Sequence, residues 1–117
     1  MIPILEFKKK YSDIDEAISN FTFGEDLVVI DNLPFGWEEL RIPSQLEDYL
    51  ETSSPYDELL AYDSTFEDYI LMRRDRRDPY RLEDSTGTGY RIGTTKGQYG
   101  VVYLDRNGKR YTLYRKL

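Results

Sequence analysis

After residue 89 the sequence changes its period, and that change limits what the chain can be. Tyr90 to Thr94, Tyr99 to Leu104 and Lys109 to Tyr114 alternate in polarity and are separated by glycine-containing turns, the pattern of short half-buried strands. The last connection is Asp105-Arg106-Asn107-Gly108, and an Asn-Gly pair supplies the positive φ angles of a tight hairpin turn. A basic C-terminal β-meander over 89–117 is therefore expected. A chain of 117 residues leaves room for one modest core, so the meander must share that core with everything before it.

Upstream, the signals are mixed. Ile2 to Phe7 reads as a strand that Pro3 confines to a sheet edge or a strand start. Leu27 to Asp31 (LVVID) is nearly continuously apolar and β-branched, as a strand buried on both faces would be. Ile14, Ala17, Ile18 and Phe21 recur at helical spacing, so Asp13 to Phe21 is predicted to be helical. Ser44 with Glu47 forms a capping box ahead of Leu46, Tyr49 and Leu50, which predicts a second helix. Ser54, Pro55 and Asp57 signal a third, to about Tyr62.

A fourth helix is expected from Ser64 or Thr65 to about Arg77. Glu67 and Asp68 would lie in its first turn and Arg73, Arg74, Arg76 and Arg77 in its last, each sign complementing the helix dipole. The segments LEDYL (46–50) and FEDYI (66–70) echo one another, as two helix starts built by the same rules would. Residues 83–89 (EDSTGTG) read as a flexible link, and 32–43 as an irregular connection in which Trp37 plugs the core. The expected fold is a single α+β domain over 1–117. Its antiparallel or mixed sheet combines the N-terminal strands with the C-terminal meander, and an acidic body over 13–78 carries three to four short acidic helices.

Charge narrows the function. The net charge of −6 hides a segregation: Asp13 to Asp68 holds sixteen acids against Arg41 alone, whereas Tyr69 to Leu117 holds twelve bases against five acids. The chain has no cysteine and no histidine, which excludes thiolate and imidazole chemistry, disulfides and sulfur- or imidazole-ligated metals. Carboxylate-only catalysis finds many chance pairs and no specific motif. The glycines of Gly87-Thr88-Gly89-Tyr90-Arg91-Ile92-Gly93 are turn residues, because no strand signal precedes them and a strand follows where a dinucleotide site needs a helix. No run of apolar residues is long enough for a membrane helix, and the start of the chain lacks the order of a secretory signal.

Non-catalytic binding is the expectation that remains, with no cofactor and no metal. Like charges at helical spacing destabilise a helix, so a long acidic run has a cost that calls for a reason. Closely spaced carboxylates imitate the phosphates that a Lys- and Arg-lined cleft is built to hold, and adjacent tyrosines can stack where bases would. The candidate partner-binding residues are Glu47, Asp48, Tyr49, Glu51, Tyr56, Asp57, Glu58, Asp63, Glu67, Asp68 and Tyr69.

The expected partner is a basic nucleic-acid-binding protein, such as a nuclease, CRISPR effector, restriction or repair enzyme, met in the cytoplasm (the host cytoplasm if the chain is phage-encoded). In size and charge the chain is similar to small phage-encoded anti-CRISPR, anti-restriction and DNA-glycosylase inhibitors and to immunity proteins of nuclease toxins, although no motif matches a particular family. Direct nucleic-acid contact by the basic meander is the weaker reading, because strand alternation divides its charges between two faces. The alternative function is a structural protein whose acidic and basic halves pair head to tail in a homo-oligomer.

Overall fold

The structure, a computed structural model, describes residues 8–24 and 26–117. Its elements run β1 (Lys8–Tyr11), α1 (Ile14–Ser19), β2 (Leu27–Ile30), β3 (Trp37–Glu39), α2 (Pro43–Thr52), β4 (Glu58–Asp63), β5 (Asp68–Arg74), β6 (Arg81–Asp84), β7 (Gly89–Thr94), β8 (Val102–Arg106) and β9 (Lys109–Lys116). Strands β4 to β9 form an up-and-down meander that closes on itself. Consecutive strands pair antiparallel, β9 returns to β4 with Ala61 opposite Leu113, and β5 joins β6 through Met72 opposite Asp84.

The result is a closed six-stranded antiparallel barrel, with 43% strand, 15% helix and two helices among the described residues. This corrects the expected α+β fold. The N-terminal pair β1 and β2 does not enter the barrel wall; it extends the sheet beyond β5, with Val29 opposite Ile70. Residues 54–77, expected to be two helices, hold the β4–β5 hairpin over 58–74 and the connections on either side of it. Leu59-Leu60-Ala61 and Ile70-Leu71-Met72 are buried without interruption, and a short apolar run of this kind cannot be told from a buried helix by its periodicity. The expected caps belong to turns. Ser54 N–H donates to the Asp57 carboxylate at 2.7 Å, and Thr65 N–H to Asp63 Oδ1 at 3.0 Å.

Two clusters account for the unbroken burial. Leu59, Ala61, Ile70, Met72, Leu82, Leu104 and Leu113 fill the barrel, and Leu46 and Tyr49 of α2 join them from one end. Leu60, Leu71, Val28 and Ile30 point outward instead, under Ala17 and Phe21 of the α1 segment, with Trp37 beside them. Trp37 therefore fills a core, as its loop position suggested, although it does so from a short strand paired to β9. Residues 83–89 contribute the end of β6 and a turn. The Asn107-Gly108 hairpin is present, with φ of 52° and 84°, both in the left-handed region such a turn requires. The strand expected over Ile2 to Phe7 lies outside the described residues.

Helix α2 begins one residue before the expected cap. Gln45 reaches back so that its Oε1 accepts from the N–H groups of Arg41 and Ile42 at 2.9 and 3.1 Å. This satisfies donors that a helix N-terminus leaves without partners.

The hydroxyl of Tyr49, on the buried face of α2, has no partner among the described residues, and burial raises its pKa from 10.0 to about 12. The unfolded chain releases this proton near pH 10 while the folded chain keeps it to about pH 12. Stability is unaffected by this group below that window, falls by about 1.4 kcal/mol per pH unit across it, and stays lower above it. Tyr49→Phe should leave stability near neutral pH unchanged or slightly raised and should make the alkaline loss shallower; urea titrations on both sides of the window check this. Buried Tyr90, raised further by burial and by Asp84, keeps its own alkaline loss in the variant.

Candidate functional site

The barrel has two unlike ends. At one, α2 covers the core. At the other, where the β4–β5, β6–β7 and β8–β9 turns lie, a cavity of about 310 Å³ opens between Asp63, Asp84, Tyr90, Tyr111, Arg106 and Lys109. Strand alternation puts Asp63 on the same face as Leu59 and Ala61, and Asp68 on the same face as Ile70 and Met72, so all these side chains point inward.

These inward acids are largely engaged. Asp63 accepts from Lys109 Nζ at 2.9 Å, and this bond holds the Lys109 pKa above its ordinary value. Asp68 lies 3.5 Å from Lys8 Nζ. Asp84, 2% exposed, accepts from the Tyr90 hydroxyl at 2.7 Å, the Thr86 hydroxyl at 2.6 Å, and the N–H groups of Thr86 and Thr88 at 2.9 and 3.2 Å. Asp63 and Asp84, held by neighbouring donors, keep the turns in place, whereas Asp68 Oδ1 is buried with no hydrogen-bond partner among the described residues. Among the described residues no group of three or more Asp and Glu is placed to hold a metal ion.

The candidate partner-binding residues are thus divided by the fold. Glu47, Asp48 and Glu51 are exposed on α2; Tyr56 and Asp57 follow in the connection to β4, and Glu58 begins β4 at the same end of the barrel. Tyr49 lies on the buried side of α2. Asp63 and Asp68 face the interior, and Glu67 is exposed in the turn at the far end. Tyr69 sits on the outer face of β5, its ring 5.0 Å from Tyr62 and 5.6 Å from Tyr114.

The acidic and basic halves of the sequence meet inside one molecule. Arg115 pairs with Glu38 and Asp48, each at 2.7 Å, and Lys109 with Asp63. The basic strands lie directly beside the acidic ones because β9 closes the barrel against β4.

Sequence reasoning passed over one surface. Arg73, Arg74, Arg76 and Arg77, assigned there to a helix terminus, line an open cleft of about 690 Å³ with Phe23 and Tyr56. Its two carboxylates, Asp75 and Glu83, are both bound by Arg81. Four arginines within five positions were the available signal. No family model, no curated protein and no solved structure matches the chain.

Proposed function

We propose that this protein acts by binding and not by catalysis, and that the acidic face of α2 engages a basic, nucleic-acid-binding protein and blocks it. The observation that carries this reading is the charge of α2. Glu47 and Glu51 are exposed on it with no ion-pair partner among the described residues, Asp48 is exposed but paired with Arg115, and neither the first-turn nor the last-turn charges of the helix complement its dipole. Glu51 near the C-terminus opposes the helix dipole and lies one turn from Glu47, so both terms disfavour the fold. Leu46, Tyr49 and Leu50 dock the helix; the acids outside that contact contribute recognition. Asp57 and Glu58, at the same end of the barrel, extend the negative surface.

The partner is a nuclease, CRISPR effector, restriction or repair enzyme with a phosphate-binding cleft, met in the cytoplasm. The chain lacks cysteine, so a reducing compartment suits it, and no described helix is long and apolar enough to cross a membrane. Head-to-tail pairing of the two charged halves is the weaker reading, because Arg115 and Lys109 already have internal partners.

A tagged pull-down at low salt with a nuclease-treated control tests the proposal. One nucleic-acid-binding protein should be retained, insensitive to nuclease and released by salt. The double variant Glu47→Lys, Glu51→Lys should lower its retention tenfold or more, since each reversal replaces an attraction with like-charge repulsion. Undiminished retention by the variant, or recovery of the chain alone, would overturn the reading.

A further inference from the structure

The structure assigns a second, independent binding site to the arginine cleft, and we infer that it holds single-stranded nucleic acid. A helix terminus would explain Arg73, Arg74, Arg76 and Arg77 by the dipole alone, but no helix is there: the first two end β5, and the others occupy the turn to β6. The dipole explanation therefore lapses, and the cluster remains to be explained in a protein whose net charge is −6.

No ion pair among the described residues involves any of the four arginines. The two carboxylates that line the cleft, Asp75 and Glu83, share Arg81 as partner, so four arginines face one uncompensated negative charge and the cleft is locally cationic. Arg74 Nη1 donates to the Ser53 carbonyl and hydroxyl at 2.9 and 2.7 Å, which fixes its direction. The Nε atoms of Arg73 and Arg74 are buried without a hydrogen-bond partner, although the Arg73 guanidinium lies 4.6 Å over the Phe21 ring, so the protein leaves the hydrogen-bonding capacity of both groups incompletely used.

The aromatic walls select among anions. Phe23 and Tyr56 are 43% and 48% exposed beside the arginines, an arrangement that offers bases a stacking platform and phosphates a cationic track. Tyr56 is held at a φ of 69°, in the left-handed region that costs a non-glycine residue energy. Backbone hydrogen bonds from Tyr56 N–H to the Arg74 carbonyl and from Arg74 N–H to the Asp57 carbonyl, at 3.2 and 2.9 Å, keep it there. The strain places an aromatic ring at the arginine cleft, beside Phe23, where a base can stack. A volume of about 690 Å³ suits a short piece of strand.

Fluorescence anisotropy with a labelled oligothymidylate at low salt tests the site. Binding should occur and should weaken with a log–log salt slope of about −2 to −3, as for three or four phosphates neutralised on a single strand. Arg76→Glu with Arg77→Glu should lower affinity at least tenfold, and Tyr56→Ala about fivefold or more. Both arginines are exposed, so the double variant should fold as the parent does, and circular dichroism verifies it. Absence of binding by the folded parent, indifference to the double variant, or equally effective displacement by polyglutamate of matched charge would overturn the assignment. The α2 acids are untouched in these variants, so a failure here is separable from a failure of the protein-binding reading.

Discussion

Replacing Asp84 with alanine should destabilise the protein by about 3–5 kcal/mol, the range for removing one partner from a buried charged network. Asp84 ends β6 beside the β5–β6 seam, opposite Met72, and that seam is only three residue pairs long. Its carboxylate gathers the Thr86 and Thr88 N–H groups and the hydroxyls of Thr86 and Tyr90. Alanine would leave the Tyr90 hydroxyl buried beside an apolar methyl and would release the turn into β7. Asp84→Asn keeps one acceptor oxygen and should lose about half as much. Urea unfolding followed by circular dichroism measures both; a loss below about 1 kcal/mol for alanine would mean that the turn does not anchor the seam.

Leu59→Ala and Leu60→Ala should each cost about 2–5 kcal/mol, the range for deleting a fully buried leucine side chain. In a strand with one wet face, neighbours on opposite faces give alternating large and small losses. Here both are fully buried, because Leu59 lies in the barrel and Leu60 lies under α1. A loss at Leu60 that is small beside the loss at Leu59 would show that the α1 layer is not packed on the wall.

The same doubling of layers explains how much of the fold was legible. The Asn107-Gly108 turn carries its own backbone requirement, so it could be read locally. Residues 13–21 and 44–50 repeat apolar side chains at helical spacing, and they form α1 and α2. In LEDYL the neighbours are polar and the helical period stands out, whereas FEDYI runs on into Leu71 and Met72. The first is helix; the second is a turn and a strand. What separated them was a second layer over β4 and β5, and sequence periodicity does not report such a layer.

The candidate site followed the fold. On a helix, Asp63 and Asp68 would have been solvent-facing; on strands, their parity with Leu59 and Ile70 sends them inward. The Arg73–Arg77 cluster, satisfied by a helix that is not there, became conspicuous only at a strand end. The α2 acids kept their exposure because their element was read correctly.

Each of these conclusions depends on residues 58–74 being a β-hairpin inside a closed barrel. Backbone NMR of the full chain tests that directly, through chemical shifts and cross-strand contacts between Ala61 and Ile70, Ala61 and Leu113, and Met72 and Asp84. Extended shifts with all three contacts are the expected result. Helical shifts over 64–77, or absence of the Met72–Asp84 contact, would contradict the closed barrel and the placement of both proposed surfaces.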